Sequence, residues 1–160
     1  IGISGAGKTT LGNKIKNYYD VTSNRSFILD GDLVRDFYNN DLGYSKADRI
    51  SNIKRIMLST YVLERNGIIP IVCNISPFEE LRAFAREKFE DYNEIYLCKD
   101  INLAKNNDIK DVYKNHLKVT PLVGVDMIFE KPENCDLKID VDKEDVESSF
   151  QKIIKYLEDK

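Results

Sequence analysis

The chain has 160 residues, enough for one domain that buries roughly two-thirds of its unfolded surface. Its 24 Lys plus Arg against 27 Asp plus Glu give a net charge of −3, which excludes a general pull toward a nucleic acid polymer or an anionic membrane, so any phosphate site must be local. The three cysteines, Cys73, Cys98 and Cys135, are far apart and form no C-x-x-C pair, which argues against a disulfide framework or a zinc site and fits a reducing cytoplasm. No apolar run approaches the roughly 18 residues of a membrane span.

In chain order, the first feature is IGISGAGKTTLGNKI, a Gly-x4-Gly-Lys-Thr run at the very start. Gly2, Gly5 and Gly7 let the backbone turn with positive φ and approach an anion, so that amides across Gly2, Ser4, Gly5, Ala6 and Gly7 can point at phosphate oxygens. Lys8 supplies a cation for the β and γ phosphates, and Thr9 offers a hydroxyl to Mg2+. Leu11, Ile15 and Tyr18 then recur at helical spacing, which predicts a helix over 10–19 whose N-terminus, at Lys8, Thr9 and Thr10, favours anions. A Gly-rich segment alone is an ordinary turn; the complete spacing followed by an amphipathic helix predicts ATP or GTP binding. Such a loop ordinarily follows a buried strand, so further residues are expected ahead of Ile1.

Short apolar runs then alternate with longer helical patterns, the rhythm of an α/β fold with a central parallel β-sheet flanked by helices. The predicted strands are SFILD (26–30), GIIPIVCNI (67–75), NEIYLC (93–98) and CDLKID (135–140). The predicted helices cover 46–66 after Ser45, 77–90 opened by Ser76 and Pro77, and 143–159 capped by Asp142. The Asn/Asp/Lys-rich stretch from about 99 to 121 has weak periodicity; beside the strand ends it is a candidate mobile lid, the alternative being a disordered surface loop. In the last helix Val146, Phe150, Ile153, Ile154 and Leu157 share a stripe that should cover the sheet and is also a candidate homodimer surface. No repeat or linker divides the chain, so 1–160 reads as one domain.

Two further clusters bear on chemistry. In LDGDLVRDF (29–37) Asp30 and Asp32 follow a strand, where an open parallel sheet binds its ligands. One carboxylate can hold the metal's water shell while the other accepts a proton from an attacking hydroxyl, and Arg35 is placed to bind an acceptor phosphate. The alternative is an N-cap aspartate followed by surface charges. In DLGYSKADRISNIKRI (41–56), Arg49, Asn52, Ile53 and Ile56 fall on one helical face, with a cation and an amide beside an apolar stripe. Lys46 and Lys54 read as solvated.

Taken together, GISGAGKTT, LDGDLVR, DLGYSKADRISNIKRI, ISPF (75–78) and the Lys110 and Tyr113 of IKDVYK resemble the adenylylsulfate (APS) kinases, from Gly2 to about Asp140. The resemblance implies a P-loop NTPase of the nucleoside-kinase type, with a lid over about 99–125, that moves the γ-phosphate of ATP to the ribose 3′-hydroxyl of a sulfated adenine nucleotide. It implies Asp32 as base or metal-linked carboxylate, and Thr9 with Asp30, through water, as the Mg2+ ligands. Asp32, Arg35, Tyr44, Arg49, Asn52, Ile75, Ser76, Lys110 and Leu122 would form the acceptor site. Ser76 also matches a serine once assigned a phosphoserine role; direct in-line transfer needs no such step, and Ser76 before Pro77 reads equally as a helix cap.

The departures from the family collect on the acceptor side. The family's Phe-Thr-Gly-Ile-Asp block, whose Phe stacks on the acceptor adenine, is here Leu122-Val123-Gly124-Val125-Asp126, with Tyr44 expected on the other face. Losing a stack worth roughly 1–3 kcal/mol per base leaves two acceptors open. One is adenylylsulfate; the other is a cytidine nucleotide with a modified diphosphate end, as used by the related cytidine diphosphoramidate kinases of capsule biosynthesis. In the lid, Asn107 replaces an Arg and Lys110-Asp111-Val112-Tyr113 replaces Lys-Gly-Leu-Tyr, while Glu79 stands where Arg is common. Gly7, Lys8, Thr9, Asp30 and Asp32 are intact, which argues against a third reading, a non-catalytic nucleotide sensor. His116, the single histidine, reads as a surface residue of the lid.

Overall fold

The computed structural model describes residues 1–22, 24–106, 113 and 121–160. In order, the elements are α1 (Lys8–Val21), β1 (Ser26–Asp30), α2 (Gly31–Phe37), α3 (Lys46–Arg65), β2 (Ile69–Cys73), α4 (Glu79–Lys88), β3 (Ile95–Cys98), α5 (Ile101–Asn106), β4 (Leu137–Asp140) and α6 (Val146–Glu158). Every predicted strand is present, and β1 has the predicted bounds. The ladders are parallel: β1 pairs with β2 from Ser26↔Ile69 to Asp30↔Cys73, and β3 with β4 from Ile95↔Leu137 to Cys98↔Asp140.

Among the described residues the ladders of the central sheet form two parallel pairs, and the start of the chain lies between them. The Ile1 nitrogen donates to Ile95 O at 2.7 Å and Leu97 N donates to Ile1 O at 3.0 Å. On the other edge Gly2 N donates to Ile75 O at 3.4 Å. The phosphate loop therefore emerges at the middle of the sheet, at the carboxyl ends of the strands.

α1 and α6 cover one face. Leu11 and Ile15 of α1 meet Leu97, Ile139 and Ile153 in one apolar cluster, with Phe150 and Leu157 packed against it. Ile139 and Ile153 are almost fully buried, each worth about 1.5–3 kcal/mol of transfer free energy. The stripe of α6 is thus taken up within the chain, apart from Val146, which is exposed. The other face is covered by α3, where Ile56 meets Leu29 and Val34, and Ile53 meets Phe78 and Leu81.

Helix starts differ in an instructive way. Ser45 caps α3 with a full capping box, its side chain accepting from Asp48 N and the Asp48 carboxylate accepting from Ser45 N. The predicted caps Ser76 and Asp142 are not caps. α4 starts after Phe78 with no side-chain cap, and Glu79 N instead donates to Glu130 Oε2 at 2.5 Å. Asp145 caps α6, and hydrogen bonds from Ser148 hold its carboxyl below the usual range. Asp142 instead accepts from Lys99 Nζ and Asp100 N, tying the end of β3 to the turn after β4. Of the two short helices, α2 meets the alternative reading of an N-cap aspartate, at Asp30, and α5 falls in the predicted lid, where no helix was expected. The rest of the predicted lid, including Lys110 and His116, lies outside the described residues apart from Tyr113 and the segment after it from 121 onward.

Candidate active site

The loop from Gly2 to Thr9 wraps the start of α1. Gly7 is its N-cap, at φ 85°, and no side chain caps the helix, so the first-turn amides face the loop. Gly5 has φ 76°, and a Cβ at Gly5 or Gly7 would meet nothing within 4 Å. Two left-handed residues bordering open space at a helix N-terminus fit a phosphate chain. Lys8 is turned back, donating to Ile3 O at 2.8 Å across the loop. From the lid side the Tyr113 hydroxyl donates to Ser4 O at 2.8 Å, a latch on the loop that its place in the sequence did not reveal.

Asp30 joins this loop to the next element. As the last residue of β1 and N-cap of α2, its Oδ1 accepts from Asp32 N at 2.9 Å while its Oδ2 accepts from Thr9 Oγ1 at 3.0 Å. One carboxylate therefore fixes both the loop's threonine and the turn that carries Asp32. Asp32 is exposed, on the first turn of α2, and its carboxylate makes no hydrogen bond or ion pair to the described residues. A hydroxyl and a carboxylate in contact suit a hard cation shared with phosphates. Among the described residues no group of three or more His, Cys, Asp or Glu side chains could hold a metal alone. A metal here would need the nucleotide's own oxygens.

The acceptor-side residues gather around Tyr44. Its ring has the Arg35 guanidinium 4.5 Å and the Arg49 guanidinium 5.3 Å from its centroid. Arg35 is buried, and its Nη1 donates to Leu42 O and Gly43 O at 2.9 and 2.8 Å, so it builds the turn that presents Tyr44. Arg49 donates from Nε to Tyr44 O at 3.1 Å and from Nη2 to Pro121 O at 2.8 Å. Burial, then the charge of Arg35, pulls the Arg49 pKa down, yet a guanidinium stays cationic at any working pH.

Asn52 is 4 % exposed; its Nδ2 donates to Gly31 O at 3.3 Å, while its Oδ1 has no hydrogen-bond partner among the described residues. A buried amide oxygen left unmatched is costly unless a ligand donor meets it. Asn74, which the sequence reading did not single out, faces the same turn: a Cβ on Gly31 would lie 3.4 Å from its Oδ1, and that oxygen accepts from Ile75 N at 2.8 Å. Its signal was there, an amide at the end of a predicted strand directly before ISPF. Ser76 has φ 46°, a region L residues rarely occupy.

Leu122 is placed differently from the expected base face. It is buried against Ile3, Ala104 and Tyr113, its N donating to Asp126 Oδ2 at 2.9 Å. Its side chain belongs to the apolar cluster behind the phosphate loop, while the carbonyl of its neighbour Pro121 holds Arg49.

The family model described as adenylylsulphate kinase matches residues 1–140. The chain belongs to the adenylylsulfate kinase family. Adenylyl-sulfate kinases of Picosynechococcus sp. and Halothermothrix orenii are each 35 % identical, over 98 % and 99 % of this chain and 89 % and 87 % of their own. The structure of the Mycobacterium tuberculosis APS kinase CysC in complex with AMPPNP and APS superposes with a TM-score of 0.92 at 29 % identity, covering 99 % of this chain and 94 % of that one. The fold is thus the P-loop NTPase fold of this family, and the protein is a kinase, a phosphotransferase that acts on a hydroxyl acceptor.

Proposed function

We propose that this adenylylsulfate kinase family member transfers the γ-phosphate of ATP to the ribose 3′-hydroxyl of adenylylsulfate, yielding ADP and 3′-phosphoadenylylsulfate. The observation that carries the reading is the Thr9–Asp30–Asp32 chain of contacts, which sets beside the phosphate loop a carboxylate with no partner among the described residues. Phosphoryl transfer is mainly positioning and charge stabilisation, and the loop amides with Lys8 supply both to the phosphate chain. Thr9 and, through water, Asp30 would hold Mg2+, whose charge would offset that of the transferred phosphoryl group. As the 3′-oxygen bonds to the γ-phosphorus and the bond to ADP breaks, Asp32 takes the hydroxyl proton.

Acceptor binding falls to the Arg35–Tyr44–Arg49 stack, the open Asn52 oxygen, Ile75 and Ser76, with Lys110 from the lid. Leu122 contributes from behind, through Pro121 and Arg49, rather than as a stacking surface. The comparisons do not favour the cytidine reading, and they lend nothing to a non-catalytic sensor. Among the described residues no helix is long and apolar enough to cross a membrane, and Cys73, Cys98 and Cys135 are free thiols; a cytoplasmic location is part of the proposed reading. The test is ADP release with magnesium ATP: turnover that requires adenylylsulfate supports the reading, and tight ATP binding without acceptor-dependent turnover contradicts it.

A further inference from the structure

Arg82 is 1 % exposed, the largest fully buried side chain among the described residues. A buried cation persists only where the surrounding groups satisfy it, and its partners here are unusually directed. Nη1 donates to Ser76 O at 2.7 Å. Nη2 donates to Glu130 O at 2.8 Å and to the Glu79 carboxylate. Nε lies 3.4 Å from Oε1 of Glu94, which is 3 % exposed, an ion pair with no hydrogen bond to Nε among the described residues. Glu94 is also held by Arg86 at 3.2 Å and by the Tyr92 hydroxyl at 3.0 Å, so the guanidinium sits on a rigid base.

The direction in which that base points matters. Ser76 combines a positive φ with a following proline, whose ring narrows the backbone choices of the residue before it. Such a conformation persists only when its surroundings over-determine it. The segment 74–76 is pinned at its start by Ile75 N on Asn74 Oδ1 and in its middle by Gly2 N on Ile75 O. The Arg82 fork pins its end, at the Ser76 carbonyl, and joins it to Glu130, whose carboxylate meets the first amide of α4.

We propose that Arg82 is a positioning residue for the acceptor: from beneath the site it holds Ser76 in its left-handed turn and thereby sets the wall that Ile75 and Ser76 present, without touching the acceptor. The inference rests on the acceptor site proposed above. It explains why the position carries a guanidinium: an ammonium is a compact point charge without the fixed fork that here meets two carbonyls and the Glu79 carboxylate while facing Glu94, and an apolar side chain of similar volume would fill the space without holding Ser76 O.

The test compares Arg82→Lys and Arg82→Met with wild type, alone and combined with Ser76→Gly, using magnesium ATP and adenylylsulfate. Arg82→Lys retains the charge opposite Glu94 and guards against a misfolded Arg82→Met. The expected result is an acceptor KM raised at least about tenfold with the ATP KM within about twofold, a split that a general loss of packing would not produce. Ser76→Gly, which adopts positive φ without strain, should recover part of that loss. An unchanged acceptor KM, or parallel rises in both KM values that glycine does not relieve, overturns the proposal. Backbone NMR shifts of Ile75 and Ser76 test the holding independently of the acceptor: they should move in both variants, and unmoved shifts also overturn it. A wild type that releases no ADP with adenylylsulfate overturns the assigned acceptor alone, since the Ser76 shifts still decide the role of Arg82.

Discussion

The Thr9 hydroxyl donates to the Asp30 carboxylate at 3.0 Å, joining the helix that starts at the phosphate loop to the strand end that carries the second carboxylate. Because Asp30 is also the N-cap of α2, its two oxygens serve different elements. Asp30→Ala is expected to cost about 2 kcal/mol, the sum of a lost cap and a lost hydrogen bond, read as a lower thermal midpoint. Thr9→Val leaves the cap in place and should change stability by less than about 1 kcal/mol while lowering magnesium-dependent turnover at least about tenfold. Equal turnover in Thr9→Val and wild type would remove Thr9 from the metal site.

Asp32 is the proposed proton acceptor, exposed and on the first turn of α2. Asp32→Asn keeps the side-chain size but removes its basicity, so turnover should fall by about 100-fold or more. ATP affinity, measured by titration, should change little, because the phosphate loop is built without Asp32. Near wild-type turnover would show that this carboxylate is not the base.

Leu122 carries a lesson about what a residue's neighbours decide. By sequence it replaces a stacking phenylalanine; in the structure it is packed behind the phosphate loop against Ile3, Ala104 and Tyr113. Leu122→Phe therefore overfills a buried site and is expected to cost about 1–3 kcal/mol. Leu122→Ala should cost about 2–5 kcal/mol. Chemical denaturation checks both, and a neutral Leu122→Phe would mean that the ring escapes toward the acceptor.

The Asp41 carboxyl is held below its usual range, first by the hydrogen bonds from Arg55, at 2.7 and 2.8 Å. A depressed folded pKa contributes stability that is complete above the unfolded value, near 3.9, and is lost as pH falls through the lower folded value. In Arg55→Met the Asp41 titration, followed by NMR, should move up toward about 3.9. The stability difference from wild type should be present at neutral pH and vanish in acid. An Asp41 titration that stays put would assign its shift to the local backbone.

Elements whose pattern is self-contained were legible in the sequence. β1 is an apolar run ending in Asp30, and α3 has both its capping box and a buried Asn52–Ile53–Ile56 face, so neither depends on distant partners to be recognised. α2 was hidden because Gly31 opens it and seven residues are too few to show a period. Ser76–Pro77 imitates a helix start, but the Ser76 carbonyl is held by Arg82 and the first amide of α4 is met by Glu130, from 51 residues away. The phosphate loop and paired aspartates were legible because their spacing is their geometry. Asn74, Arg82 and the placement of Leu122 were not, because each is fixed by segments distant in the chain.

The most direct measurement is ADP release with magnesium ATP, comparing adenylylsulfate, cytidine diphosphoramidate and CDP at equal concentrations. The account predicts turnover that requires adenylylsulfate and exceeds that with either cytidine nucleotide. Faster turnover with a cytidine nucleotide, or none with adenylylsulfate, would contradict it.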